Sequence, residues 1–285
     1  MHRLDKEHRR LILDALPQQA PAKPEQRRRL LVTNLNVRDG ETRNGHRSIE
    51  AGNFAIQQMG RATGAYTAFY SDDPFMLAEE NLSFFDAVCF NNTTGVLTED
   101  PELQDSLLRF VSQGGGFVGL HAAAATFCQY PRYDQFPEFG KMLGGYENGG
   151  HPWGADETIV LTPEAPDHPL NAAFEGEDFE IQDEVFQMKE HYSRERLRVL
   201  LRINQHKTPF GPDRRILPER RADSDIAISW VRREEEGRVF YTSLGHNPHI
   251  FWNPPVLAHM LAGIQFALGD LEADTTPRPM PDPTE

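Results

Sequence analysis

A histidine stands at the end of a short apolar strand in the stretch GGGFVGLHAAAATF, residues 114–127. The glycines predict a turn, GFVGL predicts the strand, and the small residues after it predict the start of a helix. A strand-to-helix elbow of this kind exposes a Ser or Cys nucleophile in α/β-hydrolases. Here the elbow residue is His121, and imidazole is a poor acyl-transfer nucleophile but a good proton carrier or metal ligand. The residue type argues against cysteine amidase chemistry.

Two further histidines flank other predicted elements. His46 ends the loop after the first strand, just ahead of Ser48, and His246 follows the strand RVFYTS. Because ligands of open α/β sheets bind beyond the carboxyl ends of the strands, we expect His46, His121 and His246 to meet at one edge. We predict that all three are catalytic, and they are the candidate ligands if a divalent metal such as zinc is bound. The alternative for each is a structural hydrogen-bonding role.

An acidic pair, Asp183 and Glu184, lies among apolar residues in FEIQDEVF. We predict that Glu184 is catalytic, either as an acid or as a group that orients a histidine. The alternative is a solvated surface pair. Residues that follow strands or lie in loops are predicted to bind substrate: Asn91, Thr93, Thr94, His151, Asp183 and Trp252. No closely spaced His-x-x-x-His signature occurs, so the sequence also allows a site without any cofactor.

The elements that position these residues alternate along the chain. Strands are predicted at 30–33, 66–70, 86–90, 116–120, 157–161 and 198–203, and 226–230 is predicted to pair with 238–243 as a hairpin. Helices are predicted from Ser48 as cap to Gly60 as stop, from Asp100 to Gly114, and from Asn253 to Gly269. This alternation predicts βαβ units and an α/β fold with a mainly parallel central sheet.

The charge balance excludes several classes of partner. The 285 residues carry 29 Lys and Arg against 43 Asp and Glu, a formal charge of −14. Such a charge repels phosphate backbones and anionic lipids, so we expect neither nucleic acid nor a membrane as a partner. Cys89 and Cys128 are the only cysteines, and the sequence shows no export signal, which predicts a reduced, cytoplasmic location. Assembly into a homo-oligomer is left open.

The sequence predicts one domain with two appendages. Residues 1–28 mix charges and end in a proline-containing linker, so we expect a charged arm, in part helical. The domain itself spans residues 29–270. Residues 271–285 are proline-rich and are predicted to be disordered.

Several separated motifs resemble those of one family. GGGFVGLHAA, QDEVF and GRVFYTSLGHNP, followed by a terminal helix, occur in the order found in the ThuA-like proteins of trehalose utilisation. The resemblance covers about residues 29–269 and implies a flavodoxin-like three-layer sandwich. That fold is related to the class I glutamine amidotransferases, here without the catalytic cysteine. His46 and His246 match the first-loop and Leu-Gly-His histidines of the family. Asp225 and the insert at 206–221 depart from its pattern and bear on substrate identity.

The resemblance implies metabolism of trehalose and related glycosides through their 3-keto forms. A ketone at C3 acidifies the C2 proton, so a base can remove it and the C1 substituent can leave, or water can add in reverse. A divalent ion held by histidines and a carboxylate can stabilise the developing enolate. The expected partner is therefore a small carbohydrate and the expected activity is that of a lyase or hydrolase.

Two other classes of function stay open at this stage. One is a non-catalytic carbohydrate-binding or assembly module, for which the aromatic residues Tyr146, Trp153, Trp230, Phe251 and Trp252 could offer flat faces. The other is a glutaminase or cysteine peptidase, which requires a reactive thiol.

Overall fold

The regular elements come from a computed structural model that describes residues 4–129, 132, 135–147, 149–189 and 191–280. The strands are β1 (Arg29–Thr33), β2 (Val37–Arg38), β3 (Glu41–Thr42), β4 (Thr67–Tyr70), β5 (Ala87–Asn91), β6 (Gly116–Leu120), β7 (Thr158–Pro163), β8 (Phe179–Gln182), β9 (Arg198–Ile203), β10 (Ala227–Glu234) and β11 (Gly237–Thr242). The α-helices are α1 (Lys6–Ala15), α2 (Ile49–Thr63), α3 (Glu79–Leu82), α4 (Pro101–Ser112), α5 (Pro137–Leu143), α6 (Pro218–Asp223) and α7 (Pro254–Leu268).

One nine-stranded sheet organises the chain, in the order β4-β1-β5-β6-β11-β10-β9-β7-β8. The strands from β4 to β11 in this order pair in parallel. The remaining strands pair antiparallel, and β10 and β11 form the predicted hairpin. The parallel half therefore presents all its carboxyl ends, including those of β1, β5, β6 and β11, at one edge of the sheet.

Helices cover both faces of this sheet. Alternate strand residues point to opposite sides, so Leu30 and Val32 pack with α1, α2 and α7, whereas Leu31 packs with α4 and α5. Every residue of β5 and β6 is buried, as expected for parallel strands between two helical layers. The predicted α/β fold, a flavodoxin-like three-layer sandwich with parallel core strands, is confirmed.

Two helices begin as the sequence predicts. The Asp100 side chain accepts a hydrogen bond from the backbone of Glu102, and the Asn253 side chain accepts one from Val256. In both cases the following proline occupies the first helical position, where its missing N–H is not needed. Helix α7 also ends at the predicted Gly269, which has φ +83°.

Helix α2 begins after Ser48 as predicted, but its predicted stop is wrong. Gly60 does not stop the helix, which continues to Thr63 and ends at Gly64 with φ +70°. Gly60 instead allows close packing, because a Cβ there would lie 2.6 Å from the carbonyl oxygen of Tyr66. Ser48 occupies the cap position but makes no side-chain cap bond. Its hydroxyl donates to the carbonyl of Gly245 at 2.7 Å, which ties the start of α2 to the loop after β11.

The described part of the predicted arm packs on the domain. Ile12 of α1 is fully buried in the core cluster formed with α2 and α7. The side chain of Gln265 pairs with both backbone groups of Ala22, at 3.0 and 2.7 Å, and Arg28 contacts Asp270 at 2.7 Å. Residues 1–3 of the arm and 281–285 of the tail lie outside the described residues.

None of the helices described here has both the length and the apolar composition that a membrane span requires.

Candidate functional site at the strand ends

The predicted elbow is present at the end of β6. His121 follows the strand directly and adopts a left-handed conformation with φ +45°, after which a 3₁₀ helix runs over His121–Ala125. A residue other than glycine in this region carries a strain of about 1–3 kcal/mol, and such strain is often found at functional sites. The turn directs the imidazole beyond the carboxyl end of the sheet.

The orientation of His121 is fixed by two contacts. Its Nδ1 atom lies 2.7 Å from the carbonyl oxygen of Ser243, and its ring stacks on Phe186 with centroids 4.3 Å apart. Because a carbonyl only accepts, Nδ1 carries the hydrogen, and Nε2 presents its lone pair towards His246 and Glu184. The residue is fully buried, and this burial lowers the pKa of His121 well below its usual value. The ring is therefore neutral near pH 7.

The structure brings the three predicted histidines together. The ring centroid of His46 lies 5.0 Å from that of His121 and 5.0 Å from that of His246. The ring centroids of His121 and His246 are 5.1 Å apart. The Nδ1 atom of His246 lies 3.3 Å from Nε2 of His121. Burial, followed by the neighbouring His246, lowers the pKa of His46 to about 4. His46 therefore also stays neutral near pH 7.

Glu184 joins these histidines, as predicted for a group that orients an imidazole. Its Oε1 atom lies 3.2 Å from Nδ1 of His246, 3.2 Å from Nδ1 of His151 and 3.8 Å from Nε2 of His121. Partial burial favours the neutral acid, but hydrogen bonds from His151 and His246 outweigh it and hold the pKa of Glu184 well below its usual range. The carboxylate is therefore ionised. Ligand atoms of His46, His121, Glu184 and His246, here called the inner cluster, all lie within 4.8 Å of one another.

Asp183 has a different role from the one predicted. It is fully buried, and its carboxylate accepts hydrogen bonds from the backbone N–H groups of Gly245 at 2.7 Å, His246 at 3.3 Å and Asn247 at 2.8 Å. Burial raises the pKa of Asp183 to about 7, although these N–H groups oppose the shift. Asp183 therefore positions the loop that carries His246. Glu184, the next residue, contacts the imidazole of His246 instead of the backbone.

His151 links the inner cluster to solvent. Its side chain is 41% exposed, compared with 13% for Glu184, to which its Nδ1 is hydrogen bonded. The hydrogen bond and charge of Glu184 outweigh partial burial and raise the pKa of His151. On its outer side the residue lines a cavity of about 450 Å³ whose other walls are Pro152, Glu157, Gly211, Asp213, Arg214 and Arg215. The predicted contact of His151 with substrate stays a prediction.

The loop after β5 has internal partners where substrate binding was predicted. Asn91 is fully buried, and its amide donates to Asn53 Oδ1 at 2.9 Å and to the carbonyl of Ile49. Thr93 is also fully buried, and its hydroxyl pairs with that of Thr126 at 2.6 Å. Both side chains are hydrogen bonded to other parts of the protein, and their predicted role in substrate binding stays a prediction.

Thr94 and Trp252 also have internal partners. The Thr94 hydroxyl donates to Asn36 Oδ1 at 2.6 Å, which supports the long loop that leads to His46. The Trp252 ring stacks on His8 of α1, with centroids 5.0 Å apart, so the arm covers a face on which a sugar was expected to lie. These residues hold the surroundings of the site together.

The remaining aromatic candidates for a carbohydrate platform belong to the core. Tyr146, Trp230 and Phe251 are fully buried and Trp153 is 1% exposed. Large apolar rings gain most by burial, and these lie between the layers of the sandwich. These four rings therefore offer no exposed face on which a sugar could stack, and such faces were the reason for considering a carbohydrate-binding module.

The thiols do not form a reactive centre. Cys89 and Cys128 are both free and both buried. Burial raises the pKa of both thiols, that of Cys128 to about 12. A thiol in this state has a negligible thiolate fraction near pH 7, which agrees with the prediction from the elbow residue.

Three residues of the site were not predicted from the sequence in these roles. Phe186 stacks on His121, the carbonyl of Ser243 fixes its tautomer, and Ser48 holds the loop of His246. Phe186 lies two positions after Glu184, and side chains at this spacing in an extended chain lie on the same face. The spacing could therefore have indicated from the sequence that Phe186 lies near the site. The carbonyl of Ser243 has no signal in the sequence, because any residue supplies the same group.

The structure is a flavodoxin-like α/β sandwich with a histidine, His121, at the strand-to-helix elbow after β6. The sequence matches the ThuA family, described as trehalose utilisation, over residues 35–267. The chain belongs to this family, and membership indicates a role in sugar metabolism. No curated protein sequence gives a significant match.

Solved structures with the same fold agree with this membership. A ThuA-like protein from Bacteroides uniformis is 18% identical, with a TM-score of 0.63 over 86% of this chain and 94% of its own. One from Parabacteroides merdae is 16% identical, with a TM-score of 0.57 over 86% and 90%. A cytoplasmic protein from Salmonella typhimurium is 12% identical, with a TM-score of 0.51 over 84% and 98%. At such identities the likeness establishes the fold alone.

Proposed function

We propose that the protein is an enzyme that acts on 3-keto forms of glycosides by acid–base elimination, or by addition of water in the reverse direction. One observation carries this proposal: Glu184 is shared between the buried inner cluster and the solvent-facing His151. An ionised carboxylate between imidazoles is a common arrangement for moving protons. Family membership supports a carbohydrate as the substrate class.

The cavity beside His151 offers a suitable place for a sugar. Its volume of about 450 Å³ lies within the range of small-molecule sites, roughly 300–1,000 Å³. Its walls include the polar side chains of Glu157, Asp213 and Arg215, which can pair with hydroxyl groups. Arg214 closes one wall by donating to the carbonyl of Pro152 at 2.6 Å and to Glu157. Gly211, Asp213, Arg214 and Arg215 of the cavity wall belong to the insert at 206–221, so we assign substrate preference to residues 211–215 of that insert.

The proposed reaction breaks two bonds, C2–H and C1–O, and moves two protons. A base takes the C2 proton, and the electron pair of that C–H bond forms the enolate of the C3 ketone. The enolate then re-forms the C3 carbonyl and makes a C1=C2 double bond, while the C1–O bond breaks and an acid protonates the leaving oxygen. His151 faces the cavity and is hydrogen bonded to Glu184, so it is the group that exchanges protons with substrate. His121 is fully buried and His46 is largely enclosed, which disfavours their protonation during turnover.

The enolate oxygen requires hydrogen-bond donors or a positive group beside it. His121 and Glu184 cannot serve, because His121 presents a lone pair and Glu184 presents a negative charge. The group that stabilises the C3 oxygen must therefore come from elsewhere at the site.

We also propose that the protein works in a reducing compartment such as the cytoplasm. The presence of two free, buried thiols supports this.

The experiment follows 3-keto-trehalose and simpler 3-keto-glucosides in deuterium oxide by proton NMR with the full chain. We expect exchange of the C2 proton for deuterium and release of the C1 substituent, and neither with the parent glycosides. The variant His206→Gln, which alters an exposed histidine outside the cluster, serves as the matched control and should behave as the native protein. Absence of both exchange and release with every keto-glycoside would refute the proposal.

A further inference from the structure

We propose that the inner cluster of His46, His121, Glu184 and His246 is a binding site for one divalent cation of the zinc type. We infer the binding of the cation from the geometry of the donor atoms alone. The role of the cation in catalysis rests on the proposed function.

The spacing of the donor atoms fits a tetrahedral ion. Ligands bound at about 2.0–2.1 Å in a tetrahedron lie about 3.3 Å from one another. Nδ1 of His246 lies 3.3 Å from Nε2 of His121 and 3.2 Å from Oε1 of Glu184, and the third edge, from Glu184 to His121, is 3.8 Å. The ring of His46 stands edge-on to both other rings, at 89° and 80°, and its donor atom lies within 4.8 Å of the other three, so His46 would move inward to complete the tetrahedron. Three imidazoles and one carboxylate form a donor set that zinc accepts.

The hydrogen bonds around the inner cluster leave a lone pair available on His121 and an unpaired nitrogen on His46. His121 donates from Nδ1 to a backbone carbonyl, which is the usual outer contact of a metal-bound histidine and leaves Nε2 free to ligate. Nδ1 of His46 is buried and has no hydrogen-bond partner within the part of the chain that the structure describes. An unpaired buried nitrogen carries a desolvation penalty that coordination of an ion, directly or through reorientation of the ring, would relieve.

An outer shell of contacts holds the donors in place. Asp183 binds three consecutive backbone N–H groups, Gly245 to Asn247, and so fixes the loop of His246. Ser48 and Asn92 both donate to the carbonyl of Gly245, at 2.7 and 3.3 Å. His151 holds Glu184 from the solvent side. Metal sites typically depend on such outer partners for their geometry.

The charge of the cluster suits a dication. The cluster contains three imidazoles and a single carboxylate, so a bound divalent ion would leave a net positive site. Such a cation supplies Lewis-acid stabilisation to the C3 enolate oxygen. The metal-free alternative is a hydrogen bond from His246 Nδ1 to Glu184, and the two can be separated by direct binding measurements.

The test uses the full chain after treatment with a chelator. Zn²⁺ is titrated by calorimetry, and Co²⁺ is added as a probe whose visible absorption reports tetrahedral nitrogen ligation. We expect one ion per chain. The variants His46→Gln and His246→Gln should each lower the affinity by about 10-fold or more, since even outer-shell changes have effects of about 10–100-fold. His206→Gln should bind as the native protein does.

The outcomes separate the two proposals. No saturable binding, or unchanged binding in both His46→Gln and His246→Gln, would overturn the metal site. Circular dichroism confirms that each variant is folded, and His46→Gln is the safer variant because Nδ1 of His46 makes no hydrogen bond to the described chain. Tight binding without turnover of any keto-glycoside supports the metal site and counts against the proposed function. Full turnover by chelator-treated, metal-free protein overturns the role of the cation while leaving the proposed function intact.

Discussion

Nδ1 of His246 lies 3.3 Å from Nε2 of His121, although 125 positions separate the two residues in the chain. The cause is the parallel pairing of β6 with β11, in which Leu120 lies beside Thr242. Residues that follow two neighbouring parallel strands emerge at the same edge, so an elbow after one strand and a loop after the other meet there. The third ring, that of His46, reaches this point at the start of α2.

The exposed imidazole of His151 provides the first prediction. Replacing His151 by Gln removes the group that exchanges protons between the cavity and Glu184, while the inner cluster is retained. We expect kcat on 3-keto-glycosides to fall by about 10²–10⁴-fold, the usual contribution of a positioned acid or base. Metal stoichiometry should stay at that of the native protein, and His206→Gln is the control. A variant with native kcat would show that His151 carries no proton.

The buried carboxylate of Asp183 provides the second. In Asp183→Asn an NH₂ group replaces one acceptor oxygen and faces the backbone N–H groups of the loop from Gly245 to Asn247. Leaving such buried donors unpaired costs about 1–3 kcal/mol, so the free energy of unfolding in urea should fall by that amount. The matched control is Asp105→Asn, at an exposed helical position, where we expect a change within about 0.5 kcal/mol. Equal stability of the two variants would contradict the positioning role.

A third prediction concerns acid stability and His259, which lies far from the inner cluster in α7. The residue is fully buried, Nδ1 donates to the carbonyl of Leu170 at 2.7 Å, and Nε2 contacts Ser229 at 2.8 Å. Burial lowers the pKa of His259 from 6.5 to about 4. The unfolded chain therefore binds the proton more readily, and acid favours unfolding.

The pKa values of His259 in the unfolded chain, 6.5, and in the folded protein, about 4, set the pH range of this effect. The stabilisation by neutral His259 is fully present above about pH 6.5 and declines as the pH falls towards 4, with a total change of about 3 kcal/mol. Urea unfolding of the native protein and of His259→Gln across this range isolates the contribution, because the other histidines are common to both. The advantage of the native protein over the variant should shrink on acidification. A difference that does not vary with pH would disprove the assignment.

The thiols provide a fourth prediction. Cys89 and Cys128 are buried with raised pKa values, so iodoacetamide should neither label the native protein nor reduce turnover. Mass spectrometry should find both cysteines labelled once urea unfolds the chain. Rapid inactivation under native conditions would instead point to thiol chemistry.

Much of the scaffold could be predicted because its signals are local. The cap at Asp100 and the stop at Gly269 depend on a few adjacent residues, and both are found as predicted. The stop of α2 was wrong for the opposite reason, since Gly60 serves a contact with Tyr66 whereas Gly64 ends the helix. A glycine required for packing and a glycine required for a left-handed turn look the same in one sequence.

The sequence could predict only those residues of the candidate site whose positions follow from the ends of the strands. His46, His121 and His246 could be placed together because each borders an element at the carboxyl edge of the sheet. Asp183 could not be assigned, because its partners in the loop from Gly245 to Asn247 are more than 60 positions away and are backbone groups. Likewise, nothing in the sequence indicates that Trp252 is covered by His8.

The central claim, that these histidines act within one site, is tested most directly by a double-mutant cycle between His46 and His246 with kcat/KM on a 3-keto-glycoside as the readout. Residues that act as a unit give strongly non-additive effects. We expect each folded single variant to Gln to lose about 100-fold or more, and the double variant to lose at most about 10-fold beyond that. Native activity in either folded single variant, or single effects that multiply in the double variant, would contradict the claim.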